Sequence, residues 1–274
     1  MDCKTQPTSY LMIIGAMKAG TTSLYNYLKN HPEICPCITK EPEFFSKNQD
    51  HGYKINNYFN LYNFDNKIHK YALEASTGYS KFPFESNVPQ TIKNYGLNPK
   101  FIYIIRNPFE RIISQYNHLH KNDKSFTFDF MYKYLIDYSK YYMQLSQFVK
   151  VFQSENILIL DFEDLKNNTN ETLNQVYDFM SISKSYYPEE LKVFNKTTGE
   201  SRKSILLKNK IDKKLSFLPK SIKNILKKTV RKVYSTNSLK LTKKQKQLIY
   251  DDLKDDMNKL KDEYGINTSK WGFD

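Results

Sequence analysis

Four short runs of apolar residues stand out along the chain. They cover residues 10–14 (YLMII), 71–75 (YALEA), 101–105 (FIYII) and 156–160 (NILIL). Their length and their content of β-branched and aromatic side chains are typical of buried strands. Because longer segments with helical spacing separate them, the pattern predicts an α/β fold with a mostly parallel central sheet flanked by helices.

Apolar residues recur at helical spacing between and after these runs. Residues 31–50 contain several prolines and are predicted to form a loop, and residues 182–218 show no clear period. Helices are predicted at 21–30, 52–62, 108–120, 126–136, 138–152, 168–180, 219–234 and 242–263.

A chain of 274 residues fits one α/β domain over 1–274. Its net charge of +13 is concentrated in a basic segment, residues 202–246, which contains 16 Lys or Arg and one acidic residue, Asp212. Within it, residues 219–234 combine basic and apolar positions at helical spacing. That pattern is typical of a helix that lies on an anionic membrane or a polyanion, and equally of the solvated face of a packed helix.

The cysteines and the start of the chain bear on its compartment. Cys3, Cys35 and Cys37 cannot form a full disulfide framework, which favours a reducing environment. No window has the length of a membrane-spanning helix, and the first apolar run is too short for a signal peptide. We therefore expect a cytoplasmic protein, with a peripheral membrane contact through residues 219–234 as an option.

A glycine-containing turn follows the first predicted strand and opens the first predicted helix. Its sequence, GAMKAGTTS from Gly15 to Ser23, has the glycine spacing of the nucleotide-binding P-loop, but Thr21 stands where that loop requires Lys. The lysine is Lys18 instead. Helix N-terminal amides and an open turn bind phosphate, so the segment predicts a nucleotide site that needs no metal-bridged triphosphate.

This segment resembles the 5′-phosphosulfate loop of sulfotransferases that use 3′-phosphoadenosine 5′-phosphosulfate (PAPS). Within that family, the sequence pattern is most similar to that of the bacterial and heparan-sulfate-type carbohydrate enzymes. The resemblance implies that Lys18 contacts the sulfuryl group and its bridging oxygen. It also implies that the 5′-phosphate is held by Ala19, Gly20, Thr21, Thr22 and Ser23.

A second motif follows the third predicted strand. Arg106 is followed by Asn107-Pro108, and Ser114 lies two helical turns further on. This segment resembles the family's 3′-phosphate site, which implies that Arg106 and Ser114 bind the 3′-phosphate of PAPS. A looser match to a loop that closes over the same phosphate adds Arg202 and Lys203.

A third match, the sequence KEPEFF beginning at Lys40, implies that Glu41 is the general base that takes the proton of the acceptor. Glu43 stands where the family often has His, and it is either an acceptor-binding residue or an alternative base. Glu74 matches a family glutamate near the acceptor. His118 and His120, on the helix after Arg106, are alternative candidates for the base, and His118 is also a candidate for acceptor binding.

The prediction is therefore a sulfotransferase that moves a sulfuryl group from PAPS to a hydroxyl or amine, with a carbohydrate as the expected acceptor and no metal required. Two alternatives remain open. One is a nucleotide-dependent kinase of the P-loop class, and the other is a non-enzymatic binder of polyanions or anionic membranes. No nucleic-acid partner is expected, because a nucleic-acid binder would explain the charge of the basic segment but not the two anion-binding motifs.

Overall fold

The computed structural model describes residues 6–46, 57–188 and 239–274. Within them, five strands form one sheet in which every neighbouring pair is parallel. The strands are β1 Tyr10–Gly15, β2 Ile34–Pro36, β3 Tyr71–Ala75, β4 Lys100–Ile105 and β5 Ile157–Asp161, in the order β2-β3-β1-β4-β5. The predicted α/β class with a parallel central sheet is confirmed.

Strands β1 and β4 form the centre of the core. Leu11 to Ile14 and Phe101 to Ile104 are all 0% exposed, as expected for parallel strands that are covered on both faces. The short edge strand β2 corrects the prediction of a loop over residues 31–50. Periodicity could not show it, because it has only three residues and ends at Pro36.

The helices lie between and after the strands. They are α1 Thr21–Leu28, α2 Val88–Asn94, α3 Pro108–Asn122, α4 Phe128–Asp137, α5 Tyr141–Val149, α6 Phe162–Asn167, α7 Thr169–Met180 and α8 Lys243–Tyr264. Six of them match predicted helices, while α2 and α6 were not predicted. Of the helix predicted at 52–62, residues 52–56 lie outside the described residues, and residues 57–62 contain a 3₁₀ turn, Tyr58–Leu61. The predicted helix 219–234, like Arg202 and Lys203, lies outside the described residues.

The carboxyl ends of four strands meet at one edge of the sheet. β1 leads into the glycine turn, β3 into a 3₁₀ turn at Thr77–Ser80, β4 into Arg106, and β5 into α6. Asn107 starts α3 by accepting hydrogen bonds from the amides of Phe109 (3.0 Å) and Glu110 (3.4 Å). Ligands of open parallel sheets bind at this edge, so the fold brings the predicted motifs to a common place.

The C-terminal residues also return to this edge. Helix α8 ends at Tyr264 and is capped by Gly265 (φ 66°), and a 3₁₀ turn at Ser269–Trp271 follows. The Phe273 ring stacks on Tyr250 (centroids 5.1 Å apart) and on Phe109 of α3 (5.7 Å), which anchors the end of the chain. No helix in the described part of the chain is long and apolar enough to cross a membrane.

Candidate active site

A cavity of about 1090 Å³ opens at the carboxyl edge of the sheet. The glycine turn, the 40–41 loop, helix α3, the start of α6 and the C-terminal turn all contribute to its walls. Nine of the predicted site residues line it: Lys18, Gly20, Thr21, Thr22, Ser23, Glu41, Arg106, Ser114 and His118. Three separate sequence motifs therefore face one space.

The glycine turn places a helix N-terminus in the cavity wall. Gly20 is the N-cap of α1 with φ 92°, and no side chain caps the first amides of the helix. A Cβ at Gly20 would lie 2.9 Å from the Phe162 ring, so both space and backbone conformation require glycine. Ala19 does not line the cavity: its side chain is 0% exposed and its amide donates to Ala16 O (3.1 Å). The α1 N-terminus is thus suited to bind an anion.

Two cations, Lys18 and Arg106, lie beside this helix N-terminus. One Arg106 Nη donates to the Lys18 carbonyl (3.2 Å) and the other to Glu110 Oε2 (2.6 Å), while the guanidinium lies over the Phe162 ring at 4.5 Å. Burial and the neighbouring Arg106 lower the pKa of Lys18. The cavity is therefore electropositive at this end, as an anionic ligand requires.

Arg111 lies on α3, five residues after Arg106 and between it and Ser114, and its side chain is fully buried behind the glycine turn. Its guanidinium donates to Met17 O (3.3 Å), Gln115 Oε1 (2.6 Å), Leu135 O (2.8 Å) and Ser139 Oγ (2.7 Å). Because Arg111 ties the turn to α3 and α4, a structural role accounts for its place in the motif.

Glu41 reaches the cavity from the segment that follows β2. Its carboxylate forms an ion pair with Lys40, and its side chain is 39% exposed. Its backbone has φ 58°, in the left-handed region that non-glycine residues rarely adopt. Thr77, in the turn after β3, also lines this part of the cavity.

Glu43 and Glu74, both expected at the acceptor, are not among the described residues that line the cavity. The Glu43 carboxylate bonds to the Gly78 amide instead. Glu74 is 0% exposed, because the β3 side chain at this position points into the core and not to the carboxyl edge.

Glu74 lies in a buried cluster of tyrosines. Burial raises the pKa of Glu74 to about 8; the nearby hydroxyls of Tyr79 and Tyr58 act against this shift and Glu43 adds to it. Those hydroxyls lie close to the carboxyl group, but neither Glu74 oxygen makes a hydrogen bond of good geometry. A carboxyl group in this setting is neutral at pH 7 and contributes no charge to the site.

The two histidines of α3 differ in position. His118 lines the cavity, and burial followed by Lys18 and Lys121 lowers its pKa, so the imidazole is neutral at pH 7. His120 Nδ1 lies 2.9 Å from the Phe126 carbonyl oxygen, and its ring stacks on Tyr116. His118 is therefore the only one of these two that faces the cavity.

Sequence reasoning did not find the residues that β5 and the C-terminus bring to the cavity. Phe162, Lys270 and Trp271 line it, and Lys270 Nζ lies 2.5 Å from Asp161 Oδ2. Their only sequence signal is an apolar strand followed by an aromatic residue, and a Lys-Trp pair near the chain end. Among the described residues no group of three or more His, Cys, Asp or Glu is placed to hold a metal ion.

Comparison with known proteins identifies the family. Residues 8–271 match the sulfotransferase domain family, and the chain belongs to that family. The human heparan sulfate glucosamine 3-O-sulfotransferase 3B1 is 27% identical over 201 residues, covering 69% of this chain and 50% of that protein. Human carbohydrate sulfotransferase 15 is 22% identical over 246 residues, covering 63% and 44%. The chain thus spans half or less of the length of these curated relatives.

A solved structure supports the same fold. The sulfotransferase from Alicyclobacillus acidocaldarius superimposes with a TM-score of 0.69 at 18% identity, covering 97% of this chain and 99% of that one. The resemblance inferred from the glycine turn and the Arg106 motif is confirmed at the level of family and fold.

Proposed function

We propose that this chain transfers a sulfuryl group from PAPS to a hydroxyl or amine of an acceptor, and that the acceptor is a carbohydrate. The observation that carries the proposal is that two anion-binding motifs, the Lys18 turn and the Arg106–Ser114 pair, line one cavity. PAPS has a phosphosulfate at its 5′ position and a phosphate at its 3′ position, so it needs two such sites. ATP lacks the 3′-phosphate and does not need the second anion-binding motif.

In the proposed reaction the acceptor oxygen or nitrogen forms a bond to sulfur while the bond from sulfur to the bridging phosphate oxygen breaks. Lys18 and the N-terminal amides of α1 stabilise the negative charge that develops on the departing 5′-phosphate. Glu41 takes the proton that the acceptor loses. The Arg106 guanidinium and the Ser114 hydroxyl bind the 3′-phosphate and fix the register of the donor in the cavity.

His118 contacts the acceptor in this proposal, and its position in the lining of the same cavity supports that role. Support for a carbohydrate acceptor comes from the relatives: by name, one acts on heparan sulfate and another on carbohydrate. A cytoplasmic location and a membrane contact through residues 219–234 stay predictions. The family match disfavours the alternatives, a kinase or a non-enzymatic binder, and Thr21 in place of the P-loop lysine adds to the case against a kinase.

Nucleotide binding tests the donor. We expect 3′-phosphoadenosine 5′-phosphate (PAP), measured by calorimetry, to bind far more tightly than AMP, because only PAP uses Arg106 and Ser114. A hydrogen-bonded charged contact contributes about 1.5–3 kcal/mol, so Arg106→Ala should weaken PAP binding roughly 10–100-fold and leave AMP binding nearly unchanged. Equal affinity of the wild-type protein for PAP and AMP would contradict the proposal.

A further inference from the structure

Glu43 lies two residues after Glu41 in the same loop. Both of its carboxylate oxygens accept hydrogen bonds from protein groups. Oε1 accepts from the Gly78 amide (2.7 Å) and Oε2 from the Ser46 hydroxyl (2.7 Å). The Glu43 amide in turn donates to Ser76 Oγ (3.1 Å). The carboxylate therefore joins the loop to the turn that follows β3.

The turn is shaped for this contact. A Cβ at Gly78 would lie 2.0 Å from Glu43 Oε2, so only glycine leaves room for the carboxylate. A second attachment lies close by, since the Phe45 amide donates to the Tyr79 hydroxyl (3.3 Å). Thr77, beside Gly78, lines the cavity together with Glu41. Loop and turn thus form one piece of the cavity wall.

Glu41 depends on this attachment because of its backbone conformation. Both Glu41 (φ 58°) and Glu43 (φ 49°) adopt the left-handed region, which costs free energy for residues with a Cβ. Such a conformation persists only where surrounding contacts hold it. The hydrogen bonds that Glu43 makes with Gly78, Ser46 and Ser76 are contacts of this kind, and they hold the backbone two residues after Glu41.

We propose that Glu43 is a positioning residue for sulfuryl transfer: it clamps the loop to the Gly78 turn and so holds the Glu41 carboxylate at the cavity. This inference rests on the proposed function, in which Glu41 is the general base. It replaces the expectation that Glu43 itself binds the acceptor or acts as the base.

Two substitutions at Glu43 distinguish a positioning role for this residue from a direct role in the reaction. Glu43→Gln keeps an oxygen for the Gly78 amide and an amide group for the Ser46 hydroxyl, so transfer should stay within about threefold of wild type. Glu43→Ala removes both bonds, and kcat should fall roughly 10–100-fold because the base is misplaced. PAP affinity should change less than about threefold in both variants, since the donor contacts lie elsewhere. Glu155→Ala, the same substitution at an exposed position, is the matched control and should leave transfer unchanged.

A double variant and an activity-independent measurement complete the test. Glu41→Gln with Glu43→Ala should lose no more transfer than Glu41→Gln alone, because no base remains to be misplaced. Amide hydrogen exchange at Gly78 should be slow in wild type and in Glu43→Gln, and fast in Glu43→Ala. If Glu43→Ala fails to fold, Glu43→Asp, which is too short to reach both donors, takes its place with an intermediate loss.

The possible outcomes are distinct. Full turnover in Glu43→Ala overturns the clamp and leaves the proposed function intact. A loss in Glu43→Gln as large as that in Glu41→Gln also overturns it, and makes Glu43 a reacting group. If the wild-type protein transfers to no acceptor, the proposed function fails, while protected Gly78 exchange in Glu43→Gln and fast exchange in Glu43→Ala still support the structural clamp.

Discussion

The buried carboxyl group of Glu74 makes the stability of the protein depend on pH, and Glu74→Gln should remove that dependence. In the folded chain the pKa of Glu74 is about 8, against an ordinary value of 4.5. Between these values the folded state holds a proton that the unfolded state releases. Stability contributed by the neutral group is therefore complete below pH 4.5 and is lost as pH rises through 8.

The magnitude follows from the two pKa values. Each pH unit between them lowers the free energy of unfolding of the wild-type protein by about 1.4 kcal/mol. Over the whole interval the loss is on the order of 5 kcal/mol. The glutamine side chain has the same shape and does not titrate. Its free energy of unfolding should match that of wild type at pH 5 within about 1 kcal/mol and exceed it by several kcal/mol at pH 9.

Urea unfolding of both proteins from pH 5 to pH 9 measures this difference, and groups that titrate alike in the two proteins cancel. A flat difference for Glu74→Gln would refute the reasoning. If the wild-type protein instead becomes more stable relative to Glu74→Gln as pH rises, the hydroxyls of Tyr58 and Tyr79 stabilise an ionised carboxylate.

Three substitutions at the cavity have separate expected results. Glu41→Gln should leave PAP affinity within about twofold in calorimetry and lower transfer roughly 10²–10⁴-fold, the usual contribution of a positioned base; unchanged turnover would mean that Glu41 is not the base. Lys18→Ala should lower transfer roughly 10²–10³-fold with every acceptor tested, because it removes charge stabilisation of the departing phosphate; a loss with one acceptor alone would contradict that role. Gly20→Ala should weaken PAP binding and lower the Tm, because its Cβ meets the Phe162 ring at 2.9 Å and its φ is 92°; wild-type affinity would show that the turn adapts.

The sequence predicted the parts of the fold that depend on local pattern. The strand predicted at 71–75 has those bounds, Tyr71–Ala75, and the helix after Arg106 starts at Pro108 as predicted. The residues of three motifs line one cavity because they follow parallel strands whose carboxyl ends meet, or lie in a loop beside them. Local pattern is enough for these features.

The remaining features depend on contacts between residues far apart in the chain. The alternation of residues along β3 does not show that Glu74 is buried beside Tyr58 and Tyr79 from two other segments. Spacing within KEPEFF does not show that Glu43 turns away from Glu41 toward Gly78. Likewise, the sequence does not show that Phe273 packs on Phe109 and so anchors the chain end whose Lys270 lines the cavity. Tertiary packing decides each of these side-chain positions, and the motif alone does not.

Transfer of radiolabel tests the central claim most directly. The wild-type protein is incubated with PAPS labelled in its sulfuryl group and with a panel of glycans and small hydroxyl or amine acceptors, and Lys18→Ala and radiolabelled ATP serve as parallel arms. The proposed function predicts label in an acceptor from PAPS with the wild-type protein, strongly reduced label with Lys18→Ala, and none from ATP. Phosphoryl label transferred from ATP, with no sulfuryl label transferred to any acceptor, would contradict it.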